Sequence, residues 1–199
     1  MTLPEFLTAK VIEYNRDHFQ DLENLLNYYN QLLLPEAKAI AVFGPYIDPD
    51  GNTVPNEHVK KINVGVLQQA QNRLKTIKDE TLNSRKNFDD LYRLVDDNIR
   101  EHGLIADMVC YDASLRLGAT LRKLPKKVYV QHGAKVGAEL LTSFDLENVR
   151  SIQVSLLPEE LHPMEPCHIE KFLCVYHDDI QNYYTENGLV SIKKRKWKN

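Results

Sequence analysis

The stretch Asp107–Leu141, DMVCYDASLRLGATLRKLPKKVYVQHGAKVGAELL, decides how the rest of the chain is read. Met108, Tyr111, Leu115 and Ala119 recur at helical spacing, and Leu124-Pro125 breaks the run. A short β-favouring piece follows, and Gly133 opens a second helix. From Ala113 through Ala138 there is no Asp or Glu, whereas Arg116, Arg122, Lys123, Lys126, Lys127 and Lys135 all fall inside. The stretch is therefore a basic, glycine-punctuated helical hairpin in a chain that is acidic elsewhere.

Upstream, Phe6, Leu7, Val11 and Ile12 predict a helix over Pro4–Tyr14, with Pro4 in its first turn. Asp17 is the expected N-cap of the next helix, whose stripe of Leu22, Leu25, Leu26, Tyr29, Leu32 and Leu33 ends before Pro35. AKAIAVFGPYI (37–47) is rich in β-branched and aromatic residues and runs into DPDGNTVPN, which predicts a loop or small hairpin. A long helical segment is expected from Asn56, carrying Leu67, Ala70, Leu74 and Ile77. After an Asn83-Ser84 break, Phe88, Leu91, Leu94, Val95 and Ile99 form another stripe, closed by His102-Gly103. Downstream, Ser143 is expected to cap a short helical piece, and SIQVSLL (151–157) to be a strand or a buried connection. The last helix lies between Pro166 and Gly188, with Ile169, Phe172, Leu173, Tyr176, Ile180, Tyr183 and Tyr184 on one face. These segments predict a mainly α, single-domain helical bundle of roughly six to eight helices with at most a small β element. That domain covers residues 1–192, with possible sub-halves 1–103 and 104–192, and residues 193–199 form a basic C-terminal tail.

Hydrophobic residues at 43% and charged residues at 27% are ordinary globular values, which exclude a wholly disordered chain. The formal charge of −3 is unevenly spread, because removing the tail cations Lys193, Lys194, Arg195, Lys196 and Lys198 leaves −8. Attraction to polyanions is therefore expected only locally. Cys110, Cys167 and Cys174 are odd in number and form no CxxC pair, which fits reduced thiols in the cytoplasm. The N-terminus has no basic leader followed by an apolar run, and no segment approaches the roughly 18 apolar residues a membrane span requires. The expectation is a soluble, unexported protein with no membrane partner.

Two constellations in the central stretch bear chemistry. Asp112 and Arg116 are four residues apart on one helix, as a plain intrahelical ion pair or as a general base beside an anion clamp. His132-Gly133-Ala134 stands at a helix start, where free backbone N–H groups and Lys135 would receive a phosphate. The alternative is that Gly133 only permits a sharp turn and His132 is an ordinary surface or core residue. Asp48, Asp50 and Asn52 alternate as in a calcium loop, but Gly51 is at the fourth position and Val59 stands where a bidentate Glu is required. Cys167, Cys174 and His177 lack paired short zinc spacings, so neither metal nor cofactor is expected. The basic tail, with Trp197 inside it, has groups that contact phosphate and stack on a base.

The run VCYDASLRLGATLRKLPKKVYVQHGAKVGAELL, with the later HIEKFLCVY, resembles a group of bacterial proteins without an established activity. The shared features are a YD-x-x-LR-x-GA core, a VY-x-x-x-G-x-x-x-GA segment and IE-x-x-LC-x-Y, which cover roughly the C-terminal half and imply no function. The hairpin also resembles helix-hairpin-helix DNA-binding modules, whose LPGxG-type turn binds phosphate through backbone amides. Here Lys126 and Lys127 follow Leu124-Pro125 in place of glycines, and Gly133 comes later. The glycosylase branch of those modules places its catalytic lysine or aspartate after the hairpin. Asp112 precedes it, so no catalytic residue is carried over.

The function expected first is a polyanion- or nucleic-acid-binding accessory protein, or one that meets an acidic protein partner. Its contacts would be Arg116, Arg122, Lys123, Lys126, Lys127, His132, Gly133 and Lys135. The alternatives are an enzyme acting on nucleic acid or a nucleotide, with Asp112, Arg116 and His132 converging, and a structural subunit that self-associates through its helices. Oligomeric state is not legible in these residues.

Overall fold

The computed structural model describes residues 1–60, 62–100, 107–189 and 195–196. The fold is mainly α: helix accounts for 66% of the described residues, which leaves only two-residue strands in three separate ladders. The expected helix closure at His102-Gly103 and the tail residues Lys193, Lys194, Trp197 and Lys198 lie outside the described residues. Two compact units emerge, residues 1–20 with 126–199 and residues 21–125.

In the first unit, α1 (Leu3–Asp17) opens with a reciprocal cap. Thr2 N–H donates to Glu5 Oε2 (2.8 Å) and Glu5 N–H to Thr2 Oγ1 (3.4 Å), which satisfies two end donors at once. Asp17 is the last residue of α1, and α2 (Phe19–Gln31) begins without it. The expected cap fails because the first helix continues through it and turns only at His18. β3 (Val128–Tyr129) leads into α8 (His132–Thr142), β4 (Phe144–Asp145) and β5 (Ser151–Ile152), and α9 (Pro166–Glu186) completes the unit. β3 pairs antiparallel with β5, Val128 opposite Ile152. β4 pairs parallel with β6 (Arg195–Lys196). Ser143 does not begin a helix; it ends α8 in the left-handed region at φ 57°. The core gathers Leu7, Tyr14, Val128, Ile152, Ile169, Phe172 and Ile180 around α9. Each such side chain contributes roughly 1.5–3 kcal/mol by leaving water.

α8 lies against α9 at close range. A methyl on Gly133 would come within 2.9 Å of His177 Nδ1 and 3.2 Å of the Cys174 carbonyl oxygen, and one on Gly137 within 3.2 Å of the Leu173 carbonyl. These glycines, four apart on one face, bring the two helix backbones together.

The second unit takes α2 from Asp21 onward and contains α3 (Leu34–Ile40), the hairpin β1 (Tyr46–Ile47) and β2 (Thr53–Val54), and a 3₁₀ turn at Glu57–Val59. It continues with α4 (Val64–Thr76), α5 (Asp79–Asn83), α6 (Phe88–Ile99) and α7 (Asp107–Leu121). Residues 37–40 are helical, against the loop expected there, because Pro35 in the first turn and Glu36 bonding back to Leu33 N–H (2.9 Å) start a helix that their β-favouring neighbours do not prevent. The hairpin follows as expected. α4 starts at Val64, later than Asn56, because the Asn63 side chain caps it by accepting from Gly65 N–H (2.8 Å). Two buried polar residues bind α3 to its neighbours. Gln71 Oε1 accepts from Val42 N–H (3.0 Å) while its amide donates to the Lys38 carbonyl, and Lys38 Nζ pairs with Asp79 (2.6 Å).

α7 is buried almost all round: Val109, Cys110, Ala113, Ser114 and Leu117 are each 0% exposed. A helix without a solvated face is a central helix of its unit. Ser114 Oγ donates to the Cys110 carbonyl (2.7 Å), which hides its polarity. A methyl on Gly118 would come within 2.7 Å of the Lys123 carbonyl oxygen and 3.2 Å of Phe88 of α6, so this glycine admits both the turn that ends α7 and its close neighbour.

Candidate functional site

The sharpest polar constellation is built on α7 within the second unit. Arg116 is 3% exposed and points inward. Its Nη1 donates to the Ala41 carbonyl (2.9 Å) and its Nη2 to Asp112 Oδ2 (3.3 Å). Nε is buried without a hydrogen-bond partner among the described residues, a cost of about 1–3 kcal/mol that the charged contacts must offset. The guanidinium lies directly over Gly44, whose φ is +67°. A side chain there would overlap Cζ and come within 2.5 Å of both terminal nitrogens. Gly44 is thus required twice, for its left-handed backbone and for its missing Cβ.

Asp112 receives a second partner from 54 residues upstream. His58, on the 3₁₀ turn, places Nδ1 3.0 Å from Asp112 Oδ2. Burial pushes the Asp112 carboxyl up, but the Arg116 guanidinium and then the His58 hydrogen bond pull it further down, so it is held below the usual carboxylate range. Tyr29 donates to the Pro45 carbonyl (3.0 Å), and burial pushes its phenol up to about 12 despite the nearby Arg116 charge. The chemistry available here is that of a carboxylate kept ionised by a buried guanidinium and orienting a half-exposed imidazole.

Of the three residues expected to converge, the structure brings Asp112 and Arg116 together and joins His58 to them. His132 belongs to the first unit. It is exposed, with φ +41° at the start of α8. The sequence held no signal for His58, since it follows no periodic run and its partner is distant.

The expected anion-binding residues divide by environment. Arg116 is buried, and Gly133 faces α9. Arg122 and Lys126 are exposed, and Lys123 and Lys127 are partly buried. Lys123 Nζ donates to the Asn83 carbonyl (2.7 Å) and Lys135 Nζ to the Glu147 carbonyl (3.0 Å). A carbonyl orients an ammonium group without neutralising it. Arg122 follows α7 with φ +56°, an uncommon conformation for a residue with a side chain.

Other sequence features resolve into local roles. Asp48 accepts from the Asn52 backbone N–H at 2.8 Å and closes the β1–β2 turn. His177 Nδ1 lies 2.8 Å from the Cys174 carbonyl, and Cys167 is buried. Among the described residues, no helix is long and apolar enough to cross a membrane. No protein-family model, no curated protein and no solved structure matches the chain.

Proposed function

We propose that the protein is an accessory factor that binds a polyanion, specifically a nucleic acid, through the basic connection Arg122–Lys127 and the cations near it in sequence. The observation that carries the reading is that Arg122, Lys123, Lys126 and Lys127 fall within six consecutive residues of a stretch devoid of carboxylates. Four cations this close along the chain, with no carboxylate among them, concentrate positive charge where backbone phosphates can meet it. Arg116 is not a contact in this reading, because its charge is spent inside α7. Lys135 and His132 at the start of α8 are further candidates, and residues 193–199 supply additional positive charge.

The test is fluorescence anisotropy with labelled single- and double-stranded DNA and RNA. Lys126→Ala/Lys127→Ala should weaken binding to all sequences similarly, since phosphate contacts carry no base information. His58→Ala should leave binding unchanged. Retention of full affinity in the lysine variant would refute the proposal.

A second reading, an acid–base site, is favoured by the contact of His58 with Asp112. A carboxylate on Nδ1 fixes the tautomer and orientation of an imidazole, as acid–base catalysis requires. Under this reading His58→Ala abolishes turnover of a nucleic acid or nucleotide substrate, and a fully active variant excludes it.

A further inference from the structure

Within the second unit, a cleft of about 430 Å³ lies between α2 and the end of α7. Its volume falls within the roughly 300–1,000 Å³ typical of small-ligand sites. Leu26 and Ala119, 8% and 4% exposed, are its best-buried lining residues. Asn27 and Asn30 are exposed along its rim, with Glu23 partly buried beside them. Glu23, Leu26, Asn27 and Asn30 follow the i, i+3, i+4, i+7 spacing that places them on one face of α2. That face extends over about 10 Å of helix. Arg122 and Leu124, just past the end of α7, line it as well.

We infer that this cleft is a binding site for a nucleotide, whether free or as an unpaired residue of a strand. The apolar residues suit a base face, as a planar heterocycle loses little by leaving water there. Carboxamides carry a donor and an acceptor side by side, the pairing that meets a base edge, and a carboxylate accepts from an exocyclic amine. The Arg122 guanidinium is a fork for phosphate. No interaction within the described residues already occupies that side chain. Its left-handed backbone is one that a glycine would hold more cheaply. The inference takes its ligand class from the nucleic-acid proposal and its location from the cleft.

Arg122→Gly removes the guanidinium while relieving the backbone, so the protein should fold at least as well as the wild type. Arg122 also belongs to the basic connection, and the decisive variant is therefore in α2. Asn27→Ala/Asn30→Ala changes only exposed side chains. Titrations with nucleoside monophosphates and with labelled single-stranded oligonucleotides should show a loss of roughly tenfold or more in affinity for each variant, with an unchanged or raised melting temperature. Binding of both ligands assigns the cleft to free nucleotides as well, and binding of the oligonucleotide alone assigns it to a base within a strand. If oligonucleotide binding depends on Arg122, Lys126 and Lys127 but is unaffected by Asn27→Ala/Asn30→Ala, the inference is overturned while the nucleic-acid proposal stands. If monophosphates bind through the cleft and oligonucleotides do not, the cleft stands and that proposal fails. Absence of any cleft-dependent binding overturns the inference.

Discussion

Gly44→Ala should be among the most destabilising single-methyl additions in the second unit, and Gly51→Ala provides its internal control. Both glycines have positive φ, +67° and +84°, so both substitutions carry the left-handed penalty of about 1–2 kcal/mol. At Gly51 nothing lies within 4 Å of the added carbon. At Gly44 the methyl overlaps the Arg116 guanidinium, which is fixed by Asp112 and the Ala41 carbonyl. Displacing it sacrifices hydrogen bonds to a charged group worth about 1.5–3 kcal/mol each and leaves Asp112 with a weakened partner. The expected total is about 4 kcal/mol or more for Gly44→Ala, against about 1–2 kcal/mol for Gly51→Ala. Urea unfolding followed by far-UV circular dichroism measures both, with an unchanged m-value confirming that the same surface is exposed. Equal midpoint shifts for the two variants would refute the assignment of Gly44 as the seat of the buried guanidinium.

Further expectations follow from the same contacts. Arg116→Met should cost about 3–5 kcal/mol by stranding the buried carboxylate, and Arg116→Met/Asp112→Asn should recover part of that loss. A double-mutant cycle without a coupling energy would contradict the pair. Because the folded-state pKa of Asp112 is depressed, its contribution is present above about pH 4 and lost as pH falls through its lower folded value. Asp112→Asn should therefore flatten the fall in urea midpoint between neutral and acid pH, and an unchanged slope would count against it. Burial pushes the Cys110 thiol up to about 12. In the native protein at pH 8, Cys174 should react with thiol reagents before Cys110 and Cys167, a sequence that mass spectrometry of labelled peptides reads directly.

The helices were legible where one face alone is apolar. Leu22, Leu26 and Tyr29 mark α2, and Phe172, Leu173 and Ile180 mark α9, because a half-buried helix writes its period into the sequence. The small hairpin was legible through Asp48-Pro49-Asp50-Gly51, whose turn chemistry is local. α7 was legible as a helix but not in its environment. Asp112 and Arg116 read as an ion pair or as a base beside an anion clamp, whereas what surrounds them inside the unit is Ala41, Gly44 and His58. These partners lie 75, 72 and 54 residues away, and no local signal encodes such pairings. Gly133 read as a phosphate-receiving turn, and its close approach to α9 depends equally on a helix that begins 33 residues later. Leu26, Asn27 and Asn30 read only as part of an amphipathic helix, since a cleft exists only once α7 is set beside them.

The most direct test of the nucleic-acid proposal is the salt dependence of oligonucleotide binding by the wild type and by Lys126→Ala/Lys127→Ala. Each lost phosphate contact should lower the slope of log K against log salt by about 0.7 for a single strand and about 0.9 for a duplex. The account predicts a linear wild-type plot and a variant slope smaller by about 1.4–1.8. Identical slopes, or no binding by the wild type at low salt, would contradict it.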